Sequence, residues 1–380
     1  MQQRKRILPG GKPNMPQDSS LLELVQSTAK SFAERHRIAL DAVEQQVLPQ
    51  LPPKVLAEMF ELGWLGSLDK FADAGLDPSN DVDEMLLGRS LLSILVFELG
   101  QVSPALATRL LCHHFARGLL DFSIKSQKKS GLLDVVATDG WLALPVFEPI
   151  AETGYSRPMT LRLIDGRLLG ELHFVVGDAL SHADAGALLC FAETSPRHAE
   201  ILLVTSDTGV NRRTIDSLGL KGLGLADLEF HRESEPRFQV VANGELAHLA
   251  QAQSLRAILP AYTALCRAIL VRCKQLAERH AENRRQGGSL IAQLPQIREK
   301  LALLERGITV TALLEKASLS ETESVVQLLP TLRQYLLSGT DVGLQVLGGA
   351  GYIVGFGLER LWRDARQVAM LLGHNLGALV

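Results

Sequence analysis

The residues best equipped for chemistry lie near the end of the chain, in residues 341–375, DVGLQVLGGAGYIVGFGLERLWRDARQVAMLLGHN. Gln345 precedes a glycine turn made of Gly348, Gly349 and Gly351. Without a Cβ, such residues let backbone N–H groups come close to a ligand that a larger side chain would hold off. A helix beginning after the turn would offer unpaired N–H groups and a positive dipole end to a phosphate or a polar ring edge. Glu359, Arg360, Arg363, Asp364 and Arg366 follow, a set able to form a buried ion network that locks the turn. An apolar run and Gly373-His374-Asn375 close the segment. Spacing alone leaves two readings open. One is a ligand-facing turn with an ion lock. The other is a connector between helices followed by a solvated charged face.

A second candidate is Arg284-Arg285-Gln286-Gly287-Gly288, where a long helical pattern stops. A guanidinium there suits phosphate oxygens, and equally suits the surface end of a helix. His113 and His114 are adjacent on a helical pattern, so they point in different directions and make a poor metal pair; they read as packing or surface residues. The four cysteines, Cys112, Cys190, Cys266 and Cys273, form no CxxC and no zinc spacing. They are too few for a disulfide framework and read as small buried hydrophobes in a reducing cytoplasm.

These residues need a large frame, and the composition supplies one. The 380 residues are 46% hydrophobic and 21% charged, enough for a sizeable core or two to three domains. A net charge of −3 gives no global basic field for nucleic acid. No apolar run approaches the roughly 18 residues a membrane span needs. Residues 1–16 are basic but lack the apolar centre of a secretory signal, and read as a flexible arm.

Helical periodicity covers residues 20–48, 54–62, 82–99 and 104–123, with Pro49, Pro52 and Pro53 as breakers and Gly63 as a C-cap. Near Asp139 the texture changes. Short β-rich runs occupy 141–146, 160–164, 167–176, 187–192, 200–205, 225–230 and 238–241, separated by turn signals such as Asp165-Gly166. From Leu246 the chain is helical again. Residues 252–285 read as one long helix that Pro260 kinks or splits and Gly287-Gly288 ends; residues 290–304, 309–316 and 321–338 read as further helices. The order is a helical domain (18–139), a β domain (140–245) and a second helical domain (246–380).

The C-terminal segment resembles the acyl-CoA dehydrogenase family, on Gln345, Gly348, Gly349, Gly351, Tyr352, Glu359, Arg360, Arg363, Asp364, Ala365, Arg366 and Gly373 at fixed offsets. The helical, β, helical order is similar to that family's α+β architecture, which ends in a four-helix bundle. Arg284 takes the place of an arginine that in the family contacts the flavin pyrophosphate of a neighbouring subunit, although Gly287 stands where the family carries phenylalanine. Lys221 stands at an arginine position of a family strand pair. The resemblance implies FAD as cofactor, an acyl-CoA thioester as substrate, electron-transferring flavoprotein as acceptor of an active assembly, and an oligomer of like or unlike subunits. It implies cofactor contacts from Arg284, Gln345, Gly348, Gly349 and His374. It also marks departures. The family's catalytic glutamate precedes the last glycine, where this chain has Leu372, and its alternative position falls near Ile258. Phe147 replaces a threonine that hydrogen-bonds the flavin ring, and no tryptophan precedes Ala183-Asp184 to cover it. The expectation is therefore a subunit without its own catalytic base, sharing FAD with a partner. Its alternatives are a homo-oligomeric enzyme with an unusual base and a cofactor-free acyl-CoA-binding protein.

Overall fold

The computed structural model describes residues 16–45, 51–66, 81–127, 141–145, 161–176, 187–195, 198–206, 208–320 and 322–371. Four helices come first: α1 (Pro16–Glu44), α2 (Pro53–Glu61), α3 (Asp81–Gly100) and α4 (Pro104–Gln127). Ala29, Phe32, Ala33, Leu40 and Val43 of α1 recur at helical spacing and are buried, which docks the helix along one stripe. α2 starts with Pro53 at its first turn and closes at Gly63, whose φ of 73° and N–H to the Phe60 carbonyl make the C-terminal cap.

Eight strands follow: β1 (Leu142–Ala143), β2 (Leu161–Ile164), β3 (Arg167–Val176), β4 (Ala187–Ser195), β5 (His198–Ser206), β6 (Asn211–Thr214), β7 (Leu225–Phe230) and β8 (Arg237–Asn243). They form one sheet of order β6-β7-β3-β2-β4-β5-β8, with β1 beside β4. Neighbours are antiparallel except for the β2–β4 and β1–β4 pairs. β4 is apolar without alternation because both its faces are covered. Leu189 and Phe191 join the large core shared with the helices, while Leu188, Cys190 and Ala192 join a second core inside the sheet with Leu172, Leu202 and Phe230. The period of two is still present in which core each side chain enters.

The second helical region holds α5 (Gly244–Asn283), a hairpin of β9 (Arg285–Gln286) and β10 (Ser289–Leu290), α6 (Pro295–Ser320), α7 (Thr322–Gln327), α8 (Leu329–Leu347) and α9 (Leu358–Met370). Of the two outcomes expected at Pro260, a split does not occur: α5 continues through it for 40 residues. An interior proline costs about 3 kcal/mol, but Ile258, Leu259, Tyr262 and Leu265 beside it are fully buried at about 1.5–3 kcal/mol each. Gly287 and Gly288 do not cap the helix; with φ of 60° and 85° they form the two-residue turn of the β9–β10 hairpin. The predicted helices at 290–304 and 309–316 are one helix, α6, with Gly307 inside it against the Tyr335 ring. α5 is also long and apolar enough to cross a membrane, but 78% of its most apolar window is buried within the protein, as befits a core helix.

Helix directions decide what meets at each end of the bundle. Arg267 and Lys274 of α5 pair with Glu315 and Glu305 of α6, so α5 and α6 are antiparallel. An ideal Cβ on Gly339 would meet Leu270, and one on Gly343 would lie 2.2 Å from Cys273 Sγ, so α8 runs alongside α5 in the same sense. The end of α5, the start of α6 and the end of α8 therefore share one end of the bundle.

Candidate functional site

That end carries most of the predicted residues. Arg284 follows the last residue of α5 in extended backbone, its N–H bonded to the His280 carbonyl, its own carbonyl accepting the Ile291 N–H, and its side chain exposed. Gln345, on the last turn of α8, accepts a 2.6 Å hydrogen bond from Lys300 Nζ of α6. The sequence reading did not single out Lys300; only the antiparallel helix pairing brings it there. Gly348, with φ of 60°, and Gly349 are exposed, and a Cβ on either would meet no atom within 4 Å. Gly351 is different. It is buried, and a Cβ there would sit 2.8 Å from the Leu344 carbonyl oxygen, so its role is packing. The expected helix N-terminus at the turn is absent. A short 3-10 turn, Gly348–Tyr352, follows, and α9 starts only at Leu358. His374, Leu372 and Gly373 lie outside the described residues, as do Phe147 and Ala183-Asp184.

The charged residues of α9 form the lock, although each does so differently. Arg360 bonds Asp41 of α1 at 2.8 Å and the Val102 carbonyl at 3.3 Å. Arg363 donates to the Leu218 carbonyl at 2.7 Å, Asp364 accepts the Leu220 N–H at 2.6 Å, and Gln367 accepts the Gly219 N–H at 2.9 Å. A Cβ on Gly219 would lie 2.4 Å from the Arg363 carbonyl oxygen, so only glycine allows this approach of loop to helix. Arg366 lies over the Trp362 ring at 3.5 Å, and both side chains donate to Asp341 at 2.6 Å. α9 thus ties the first helix, the sheet domain and α8 together. Lys221, at the family's arginine position, pairs with Asp216 at 3.3 Å instead of with α9.

Asp364 is fully enclosed. Burial and then the neighbouring Glu44 carboxylate push it up to about 7, against the pull of the Leu220 N–H and of Arg360 and Arg363. Glu44 Oε1 accepts Ser103 Oγ–H at 2.6 Å, while Glu44 Oε2 and Asp364 Oδ2 are both buried without a hydrogen-bond partner among the described residues. A proton on Asp364 removes the repulsion from Glu44 and eases the burial of its carboxylate.

The adjacent histidines are structural. His113 Nε2–H donates to the Leu65 carbonyl at 3.0 Å and Nδ1 accepts the Leu142 N–H at 3.0 Å, which fixes its tautomer and joins the first helical region to β1. His114 donates to the Trp64 carbonyl at 2.9 Å. Burial lowers them to about 4 and about 3. All four cysteines are free and buried, and no cluster of metal-ligating side chains occurs among the described residues.

Ile258, near which the resemblance puts the alternative base position, is fully buried among apolar neighbours on α5. Tyr262, one turn on, is also enclosed and donates its hydroxyl to the Val368 carbonyl at 3.2 Å, with burial raising it far above the usual phenol range.

This architecture is the acyl-CoA dehydrogenase fold. Butyryl-CoA dehydrogenase from Megasphaera elsdenii superposes with a TM-score of 0.73 over 95% of both chains at 19% identity. In sequence, cyclohex-1-ene-1-carbonyl-CoA dehydrogenase of Geobacter metallireducens is 23% identical over 91% of this chain and 96% of its own length. Acryloyl-CoA reductase (NADH) of Anaerotignum propionicum is 23% identical over 93% and 91%. No family model matches the chain. Fold and full-length sequence relatives agree: the chain has the acyl-CoA dehydrogenase fold and is similar in sequence to enzymes acting on CoA thioesters.

Proposed function

We propose that this protein is a partner-dependent subunit of an acyl-CoA-oxidising flavoprotein, holding the adenine and pyrophosphate end of an FAD seated mainly in a neighbouring subunit. The observation that carries this reading is the missing base. Proton abstraction next to a thioester carbonyl needs a carboxylate held in the pocket. Ile258 is apolar and sealed at one family position, and Leu372 occupies the other. The opposite end of the cofactor is better served. Arg284 is exposed at the end of α5, its charge free for phosphate oxygens, and open space over Gly348 and Gly349 leaves room for close backbone approach. Gln345 and Lys300 add a polar pair at the same end of the bundle. FAD, when bound, supplies the hydride acceptor. What this chain contributes is charge and shape at the phosphate end, together with a surface for the neighbour. Tyr352 and Ile353, 69% and 56% exposed beside the turn, suit burial against a second subunit.

The test is FAD titration and dye reduction with acyl-CoA thioesters, on the chain alone and mixed with a catalytic paralogue. The reading expects weak FAD binding and no turnover alone, and tighter binding with turnover in the mixture. Turnover by the isolated, FAD-saturated chain would refute it.

A further inference from the structure

A cleft of about 1170 Å³ lies on the other face of α5, turned toward α1 and α9. It reaches the end of the bundle at Asn283 and Leu347, but Arg284, Gln345 and Lys300 are not in its lining. One wall belongs to α5 alone and carries Arg272, Arg279, His280 and Asn283. The facing wall carries Arg37 and Asp41 of α1 and Arg360 of α9. Six Lys and Arg face four Asp and Glu in the lining, and the imbalance is concentrated on the α5 wall, which has no carboxylate.

Two features show that this charge lacks an answer within the chain. Arg272 is disfavoured in its charged form first by burial, then by Arg37, Arg279 and Arg360; Asp41 is the one acid that acts in its favour, and Asp41 is already bonded to Arg360. Arg272 donates only to the neutral Gln275 side chain, and neither Arg272 nor Arg279 has an ion pair among the described residues. The buried Nε–H groups of Arg37 and Arg360 also lack acceptors. Guanidinium groups gathered in this way, with donors to spare, suit the oxygens of a phosphate. At the mouth, Val354 and Phe356 stay exposed, with Leu276 and Leu347 behind them. An aromatic or apolar group could rest there while the charged end meets α5, the usual composition of a small-molecule site.

We propose that this cleft binds a phosphate-bearing ligand with a flat or apolar portion, of the nucleotide class, with its phosphates on Arg272 and Arg279 and its base against Phe356 and Val354. The ligand would answer Arg272 and Arg279 with charge-assisted hydrogen bonds, while Arg37 and Arg360 keep their pairs with Glu34 and Asp41.

The experiment is calorimetric titration of the full chain at low salt with ADP, with adenosine and with inorganic pyrophosphate, in wild type, Arg272→Gln, Arg279→Gln and Arg284→Ala. The expected result is saturable ADP binding that weakens at least tenfold in Arg272→Gln and Arg279→Gln. Adenosine should bind at least tenfold more weakly than ADP. Pyrophosphate bound as tightly as ADP would remove the base-stacking half of the proposal. Without ligand, Arg272→Gln should melt no lower than wild type, because it relieves repulsion; this keeps lost binding separable from lost folding. ADP binding that survives both cleft variants but is lost in Arg284→Ala would put the nucleotide at the end of α5 and overturn the proposal, as would no saturable binding at millimolar ADP.

Discussion

Asp364→Asn should make the protein more resistant to alkaline pH. Asp364 is buried, accepts the Leu220 N–H through Oδ1, and has Oδ2 buried without a partner among the described residues, with the Glu44 carboxylate nearby. Asparagine keeps the acceptor and puts two N–H donors where the proton would otherwise have to stay. The sign follows from the raised pKa. Below about 3.8 both the folded and the unfolded protein carry the Asp364 proton, and the full contribution is present. Between there and about 7 only the folded state keeps it, so stability falls as pH rises, by about 1.4 kcal/mol per pH unit. Over that span the loss is on the order of 4 kcal/mol, a large share of a domain's usual 5–15 kcal/mol. The carboxamide does not titrate, so the variant escapes the loss. Urea midpoints at pH 5, 6, 7 and 8.5 for wild type and Asp364→Asn test this. The variant's advantage should grow with pH and level off above about 7. A difference independent of pH would mean that Asp364 takes up no extra proton on folding in this window, and the reasoning from its raised pKa would fail.

His113 and His114 act in the opposite direction. Their folded values near 4 and 3 lie below the unfolded 6.5, so stability should drop as pH falls below 6.5; two histidines against one aspartate make acid the losing side, readable from melting temperatures between pH 4 and 7. His113→Leu strands the Leu65 carbonyl and the Leu142 N–H, both buried, and should cost about 2 kcal/mol or more in urea denaturation. Gly219→Ala forces a Cβ against the Arg363 backbone and should cost about 1–3 kcal/mol while loosening α9, seen as faster amide exchange along that helix. Arg284→Ala should weaken FAD binding by the chain with its partner about tenfold or more, the equivalent of roughly 1.5–3 kcal/mol; equal affinity would return Arg284 to the role of a surface residue.

Much of the architecture was legible because periodicity survives burial. β3 and β7 fall on the predicted residues, and the helical borders near Glu44, Glu61 and Gly100 follow proline and glycine signals. β6 was missed for a physical reason. Its residues, Asn-Arg-Arg-Thr, are all exposed on a sheet edge, so no face is selected for apolar side chains. The glycine cluster was legible as a turn but not in its division of labour. Nothing in the spacing separates Gly348 and Gly349, open to solvent, from Gly351, packed on Leu344. The charged run of α9 reads in sequence as a network locking the glycine turn or as a solvated face; it instead bonds Asp41, Leu218 and Leu220, which come from other parts of the chain and which spacing could not show. Lys300 and the arginine cleft of α5 were hidden for the same reason. Each depends on helix directions that only the packed bundle sets.

The lock also has a consequence for how the molecule is made. Arg360 grips Asp41 across 319 residues of chain. At the usual pace of synthesis, about 5–20 residues per second, α1 waits roughly 15–65 s for its partner to be made. Until then the loop around Leu220 packs on α1 and α4 without the helix that accepts the Gly219 and Leu220 N–H groups, and Glu44 lies beside an acid not yet synthesised. Chaperones would meet the chain in that interval. A stop just before α9 would leave all three regions present and sharing their core, but without the bonds by which α9 ties α1, the loop around Leu220 and α8 together.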